Sequence, residues 1–150
     1  MEAHSEATHR TRYQHLVEKL IYLSHTRPDI AYAVGVVSQF MHAPQVAHWE
    51  AALRIVRYLK GTACHGILFE NHGHLEIHGF TDDDWAGNPN DRKSTVGYLT
   101  FVGGNLVTWR SKKQKVVALS SVKAEFRGIK SGLTEILCLK KLKTELNLNS

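Results

Sequence analysis

Asp82, Asp83 and Asp84 follow one another directly, and a fourth carboxylate, Glu125, stands near the start of a late helical pattern. Carboxylates are almost never fully buried unless they are paired or hold a cation. Side chains alternate along a strand, so Asp82 and Asp84 share one side and Asp83 takes the other. Two carboxylates on one side offer the hard oxygen ligands that Mg²⁺ accepts. A solvated acidic turn would account for an isolated run of aspartates. Glu125 is the partner that shifts the balance toward a metal-binding arrangement.

The elements that must position these acids follow from the patterning. Leu75, Ile77, Gly79 and Thr81 alternate with Glu76, His78, Phe80 and Asp82, which is a strand signature. Thr95–Val102 reads as a second strand, Gly103-Gly104-Asn105 as a turn, and Leu106–Trp109 as a third strand, giving an antiparallel meander. Ser120 or Ser121 caps a long helix running to about Leu146. Its large apolar residues Val122, Phe126, Ile129, Leu133, Ile136, Leu137 and Leu142 are expected to bury against the sheet. Ahead of the acidic strand, Gly66–Phe69 is a short apolar run and Asn71–His74 a turn, so a hairpin is the simplest link.

The first part of the chain has helical periodicity instead. Tyr13, Leu16, Val17, Leu20 and Ile21 form one stripe ending before Arg27-Pro28. Pro28 opens a second helix with Ile30, Ala31, Val34, Val37, Ser38 and Met41 on one side. Ala47 to Lys60 forms a third through Trp49, Leu53, Val56 and Leu59 or Tyr58. The expected organisation is α+β: a disordered lead-in over 1–10, a helical segment over 11–62 and a mainly antiparallel β-β-β-α part over 63–150.

With 150 residues, 43% hydrophobic and 22% charged, the composition is that of a folding chain with a core. A net charge of +5, with ten histidines in reserve, favours polyanionic partners such as nucleic acid. Cys64 and Cys138 show no metal-ligand spacing and read as reduced thiols, Cys138 packed on its helix. His25, His42, His48 and His65 likewise lack ligand spacing. No apolar run approaches the roughly 20 residues of a membrane span, and Met1–Arg12 lacks the apolar stretch of a signal peptide. An intracellular chain, cytoplasmic or nuclear and without a membrane partner, is the expectation.

Four ordered blocks carry a resemblance: Gly79-Phe80-Thr81-Asp82-Asp83-Asp84-Trp85-Ala86-Gly87, Asp91–Tyr98, Trp109–Lys115, and Ala118–Ser121 with Ala124-Glu125-Phe126. Together they are similar to the ribonuclease H region of copia-type LTR-retrotransposon polyproteins. The helical half resembles the end of the reverse transcriptase, its thumb and connection, in the same polyproteins. The resemblance implies hydrolysis of RNA in RNA:DNA hybrids. Asp82 and Glu125 would be the catalytic acids, holding Mg²⁺ or Mn²⁺, and Asp84 either an accessory ligand or a surface carboxylate. Asp83 stands where the family has a small residue, and Val122-Lys123 and Arg127 also depart from its pattern, which implies weakened metal binding. The family continues with a fourth strand bearing another aspartate, whereas this sequence stops at Ser150. An incomplete ribonuclease H-like half, inactive alone, is therefore expected, its sheet completed by the remainder of a polyprotein or by a second chain. Arg92 and Lys93, and the run from Arg110 through Lys112, Lys113 and Lys115, would contact the hybrid or another nucleic acid. A non-catalytic nucleic-acid-binding or protein-interaction module is the alternative.

Overall fold

Helical and strand periodicities separate along the chain, and the computed structural model divides accordingly into two units, Met1–Ile67 and Leu68–Ser150. Residues 2–84, 93–114, 116–117 and 119–148 are described, with side chains from residue 9 onward. Of the expected nucleic-acid contacts, Arg92 and Lys115 lie outside the described residues.

The first unit is three helices: α1 (Glu2–Leu23), α2 (Pro28–Ser38) and α3 (Val46–Gly61). Tyr13, Val17 and Leu20 of α1 meet Ile30, Val34 and Val37 of α2 and Ala52 and Ile55 of α3 in one buried cluster. The buried side of α3 is thus turned from the expected one, since Val56 is 37% exposed. The Tyr13 hydroxyl donates to the Val37 carbonyl at 2.7 Å, which satisfies its one polar atom in the core. α1 is helical back to Glu2, so the lead-in expected to be disordered over 1–10 has helical backbone from its second residue. Alternating apolar periodicity was the signal sought there, whereas Glu2, Ala3, Glu6 and Ala7 favour a helix by intrinsic propensity and by acids near its N-terminus.

A buried cation closes this unit. Arg27 is 8% exposed. Its guanidinium donates to both Asp29 carboxylate oxygens at 2.9 and 2.7 Å and to the carbonyl and hydroxyl oxygens of Thr62 at 3.0 and 2.9 Å. Tyr58 donates to the same Asp29 oxygen at 2.8 Å. The network ties the start of α2 to the end of α3 and holds the Asp29 carboxyl down at about 2, through the Arg27 hydrogen bonds above all. At the other end of α3, Gln45 and His48 cap each other reciprocally, and His48 stacks on Phe40 with ring centroids 3.7 Å apart.

The second unit is a three-stranded antiparallel sheet in the order β1 (Ile77–Asp84), β2 (Thr95–Val102), β3 (Asn105–Lys113), followed by α4 (Ser121–Glu145). β1 and β2 pair from Ile77↔Val102 to Asp84↔Thr95. The β2–β3 turn takes positive φ at Gly103 (57°) and Gly104 (78°), the backbone a type I′ hairpin demands. A bulge between Thr100 and Phe101 shifts the β2–β3 register and leaves Val107 without a partner. The expected hairpin ahead of β1 does not form: residues 65–76 contain no strand, and Leu68 and Phe69 are 76% and 62% exposed. That segment is held to the β2–β3 turn by side chains, with Asn105 bonding Glu70 N–H and C=O at 2.8 Å each and His72 Nδ1 lying 2.8 Å from the Gly103 carbonyl.

α4 begins where Ser120 accepts a hydrogen bond from Lys123 N–H at 3.3 Å. It ends in a Schellman arrangement, with Asn147 at φ 54°, Asn147 N–H on Thr144 O and Leu148 N–H on Lys143 O. Its sheet-facing side differs from the expected one. Ala124, Gly128 and Gly132 are the buried residues, whereas Val122, Phe126, Ile129, Leu133, Leu137 and Leu142 are between 49% and 67% exposed. Residues four apart lie on one helix face, and a face of Ala and Gly lets the helix come down close on the strands. Of the expected buried set, Ile136 reaches the sheet, at Gly79. Cys138 is exposed and unpaired rather than packed.

Candidate functional site

The contacts of the α4 glycines fix which way β1 faces. A Cβ on Gly132 would collide with the Thr81 methyl, and one on Gly128 would lie 3.8 Å from the Asp83 Cβ. Gly79, Thr81 and Asp83 therefore face α4, and alternation turns Asp82 and Asp84 to the opposite side of the sheet. Asp82, Asp84 and Glu125 are exposed, and Asp83 is half buried.

Asp83 is the group whose surroundings are unusual. Neither of its carboxylate oxygens has a hydrogen-bond partner among the described residues, and both are shielded from solvent. Burial raises its pKa, and the charges of Asp82, Asp84 and Glu125 each push it further up, with Arg127 opposing them. β1 thus turns Asp82 and Asp84 away from α4, the helix that carries Glu125, so the expected convergence of Asp82 and Glu125 on one ion is not what this fold shows. Arg127 Nη1 is likewise buried without a hydrogen-bond partner among the described residues.

A divalent cation would neutralise such a cluster, and carboxylate oxygens are the donors Mg²⁺ and Mn²⁺ take. The donors fit in kind. In number they fall short, since no three or more His, Cys, Asp or Glu side chains among the described residues are placed to hold a metal ion together.

The expected basic contacts divide by position. Lys112 and Lys113 end β3, where Val96 pairs with Lys112 and Thr95 with Lys113, and Lys93 precedes β2. Arg110, the first residue of that basic run, lies two residues before Lys112 and points the same way.

The architecture defines an α+β chain: a three-helix unit followed by an antiparallel meander and one long helix. The chain is 44% identical over 138 residues to the retrovirus-related Pol polyprotein from transposon RE2 of Arabidopsis thaliana, which covers 92% of this chain and 10% of that protein. The Pol polyprotein from transposon TNT 1-94 of Nicotiana tabacum is 43% identical over 91% of this chain and 10% of its own length. The secreted RxLR effector protein 161 of Plasmopara viticola is 46% identical over 76% of this chain and 80% of its own length. The chain is thus similar to a segment of retrovirus-related Pol polyproteins of transposons, and it spans about a tenth of the length of those it matches. No protein-family model matches it, and no solved structure does. Among the described residues no helix is long and apolar enough to cross a membrane.

Proposed function

We propose that residues 63–150 are a ribonuclease H-like segment of a retrotransposon Pol polyprotein, and that residues 11–62 correspond to the end of its reverse transcriptase. The ancestral role is hydrolysis of the RNA strand of RNA:DNA hybrids. One observation carries this reading: a β-β-β-α unit whose first strand ends in Asp82, Asp83 and Asp84 and packs under a helix that bears Glu125. The partial likeness to Pol polyproteins supports it.

By the resemblance Asp82 and Glu125, with Asp84 as accessory, would hold Mg²⁺ or Mn²⁺, but with Asp82 and Asp84 turned away from the helix that bears Glu125 the ion would be held weakly, by Asp82 and Asp84 alone. When bound, such an ion activates water and stabilises the leaving oxygen of a phosphodiester. Asp83 works against that role. Where a small side chain would leave room, its shielded carboxyl adds a charge that resists ionisation beside the other acids. Lys93, Lys112 and Lys113 supply phosphate contacts, with Arg92 and Lys115 adjoining them in sequence. The chain by itself is therefore a binder of hybrid with weak metal affinity and no nuclease turnover.

The test is a gel assay of a labelled RNA:DNA hybrid in Mg²⁺ and in Mn²⁺. Retention of the hybrid without cleavage is the expected result. Cleavage abolished by Asp82→Asn would overturn the inactive reading, and failure to retain the hybrid would overturn the nucleic-acid one. A protein-interaction role is favoured by one separate feature, the exposed apolar stripe of Phe126, Ile129, Leu133 and Leu137 on α4.

A further inference from the structure

The sheet of the second unit is broader than the helix lying on it. Among the described residues α4 packs on β1 and β2 but not on β3, so the α4-side surface of β3 is left open beside the helix. A cleft of about 300 Å³ occupies that step, lined by Val96, Tyr98, Arg110, Lys112, Lys113 and Ser131 among others. This volume is at the lower end of those that enclose a small ligand.

The register explains why the cleft is basic. Val96 and Tyr98 face α4, since Cβ atoms on Gly128 and Gly132 would each lie 3.8 Å from them. Arg110 pairs with Tyr98 and Lys112 with Val96, and directly paired residues of an antiparallel sheet point to the same face. Arg110 and Lys112 therefore stand side by side on the cleft floor, with Ser131 of α4 as the opposite wall. Glu135 accepts a hydrogen bond from the Tyr98 hydroxyl at 3.3 Å. Burial, and then Glu135, push the Tyr98 phenol up, while Arg110 draws it down. Among the described residues the Glu135 carboxylate shares the α4 side of the sheet with two cations, Arg110 and Lys112. Asp82 and Asp84 lie on the other side of the sheet and do not compete for them.

We propose that this cleft holds a backbone phosphate of a nucleic-acid strand, with Arg110 gripping two phosphate oxygens through its planar fork and Lys112 adding a point charge. The hydroxyl of Ser131 is the neutral donor on the helix side. The proposal rests on the nucleic-acid reading above and adds to it a site, a face of the sheet and a residue, Ser131. It is independent of whether the carboxylates at the end of β1 bind a metal.

The experiment is fluorescence anisotropy of a labelled RNA:DNA hybrid with the full chain over a range of salt, circular dichroism confirming that each variant is folded. Ser131→Glu places a carboxylate in the cleft, and Thr134→Glu makes the same charge change at an exposed position of the same helix. Ser131→Glu is expected to weaken binding about ten-fold or more and Thr134→Glu by less than about three-fold. Arg110→Gln should lower the salt slope by about one, and Arg110→Lys should keep the slope while binding more weakly. Equal losses in Ser131→Glu and Thr134→Glu would overturn the cleft and leave hybrid binding standing. Absence of hybrid binding by the unaltered chain would instead overturn the nucleic-acid reading itself. Tighter binding of a labelled nucleoside monophosphate than of the hybrid would make this a free-nucleotide site and overturn the strand phosphate.

Discussion

Asp83 lies directly beneath Gly128: a Cβ on the glycine would stand 3.8 Å from the Cβ of the aspartate, at the place where β1 passes under α4. A carboxylate is an expensive residue there. Its oxygens are shielded and unpartnered among the described residues, and leaving a buried polar group unsatisfied costs about 1–3 kcal/mol.

Asp83→Ser is accordingly expected to stabilise the second unit at neutral pH, by on the order of 1 kcal/mol given the partial exposure of the site. The sign with pH follows from the raised pKa. Below the ordinary value of 3.8 the carboxyl is neutral in folded and unfolded chains alike and costs nothing as a charge; above it the unfolded chain ionises first, and the fold loses stability as pH rises through the folded pKa. The gain from Asp83→Ser, read as a difference in denaturation midpoint, should therefore grow from pH 3 to pH 7. A gain independent of pH would show that the charge is not the cause.

Gly128→Ala and Gly132→Ala should move stability in opposite directions. At Gly128 every neighbour of a new Cβ lies at 3.8 Å or beyond, ordinary contact, so removal of helical glycine is worth about 0.5–1 kcal/mol. At Gly132 the new Cβ would run into the Thr81 methyl, a β-branched side chain with little freedom to turn, and overpacking costs about 1–3 kcal/mol. Urea denaturation of the two variants makes the comparison.

Phe126→Gln and Leu133→Gln are expected to cost less than about 0.5 kcal/mol each despite removing large apolar side chains, because both point outward from α4 at 67% and 52% exposure. Their visible effect should be higher solubility and weaker self-association in sedimentation velocity. Losses of 2 kcal/mol or more, the cost of truncating a buried residue, would place this stripe against the sheet after all.

In the helical unit, Asp29 has its pKa lowered from 3.8 to about 2 by Arg27 and Tyr58. A lowered carboxylate contributes stability that is present above 3.8 and is lost as pH falls toward 2. With the Asp29 side chain 33% exposed, screening leaves this on the order of 1 kcal/mol. Asp29→Asn should remove that acid-dependent part of the unfolding curve and little of the rest.

Much of this architecture was legible in the residues. Period-2 alternation located β2 to the residue, the paired glycines marked its turn, and Ser120 marked the start of α4. The face of α4 was not legible by apolar size, because a helix seated closely on a sheet buries small residues. The spacing of Ala124, Gly128 and Gly132 was the informative signal. Gly66–Phe69 misled in the same way, since apolar content without a pairing partner does not make a strand. The acids at the end of β1 were plain in the sequence, but the shielding of Asp83 depends on how near α4 comes. Arg27, read only as the end of a helix, became the centre of a network because Thr62 is distant in sequence and adjacent in the fold.

The most direct measurement of the carboxylate cluster is paramagnetic broadening of backbone amide signals as Mn²⁺ is titrated into the isotopically labelled chain. Weak broadening centred on Asp82 and Asp84 at the end of β1, lost in Asp82→Asn, is the expected result. Broadening centred elsewhere, for instance on the His72 and His74 pair, or unchanged in Asp82→Asn, would contradict it.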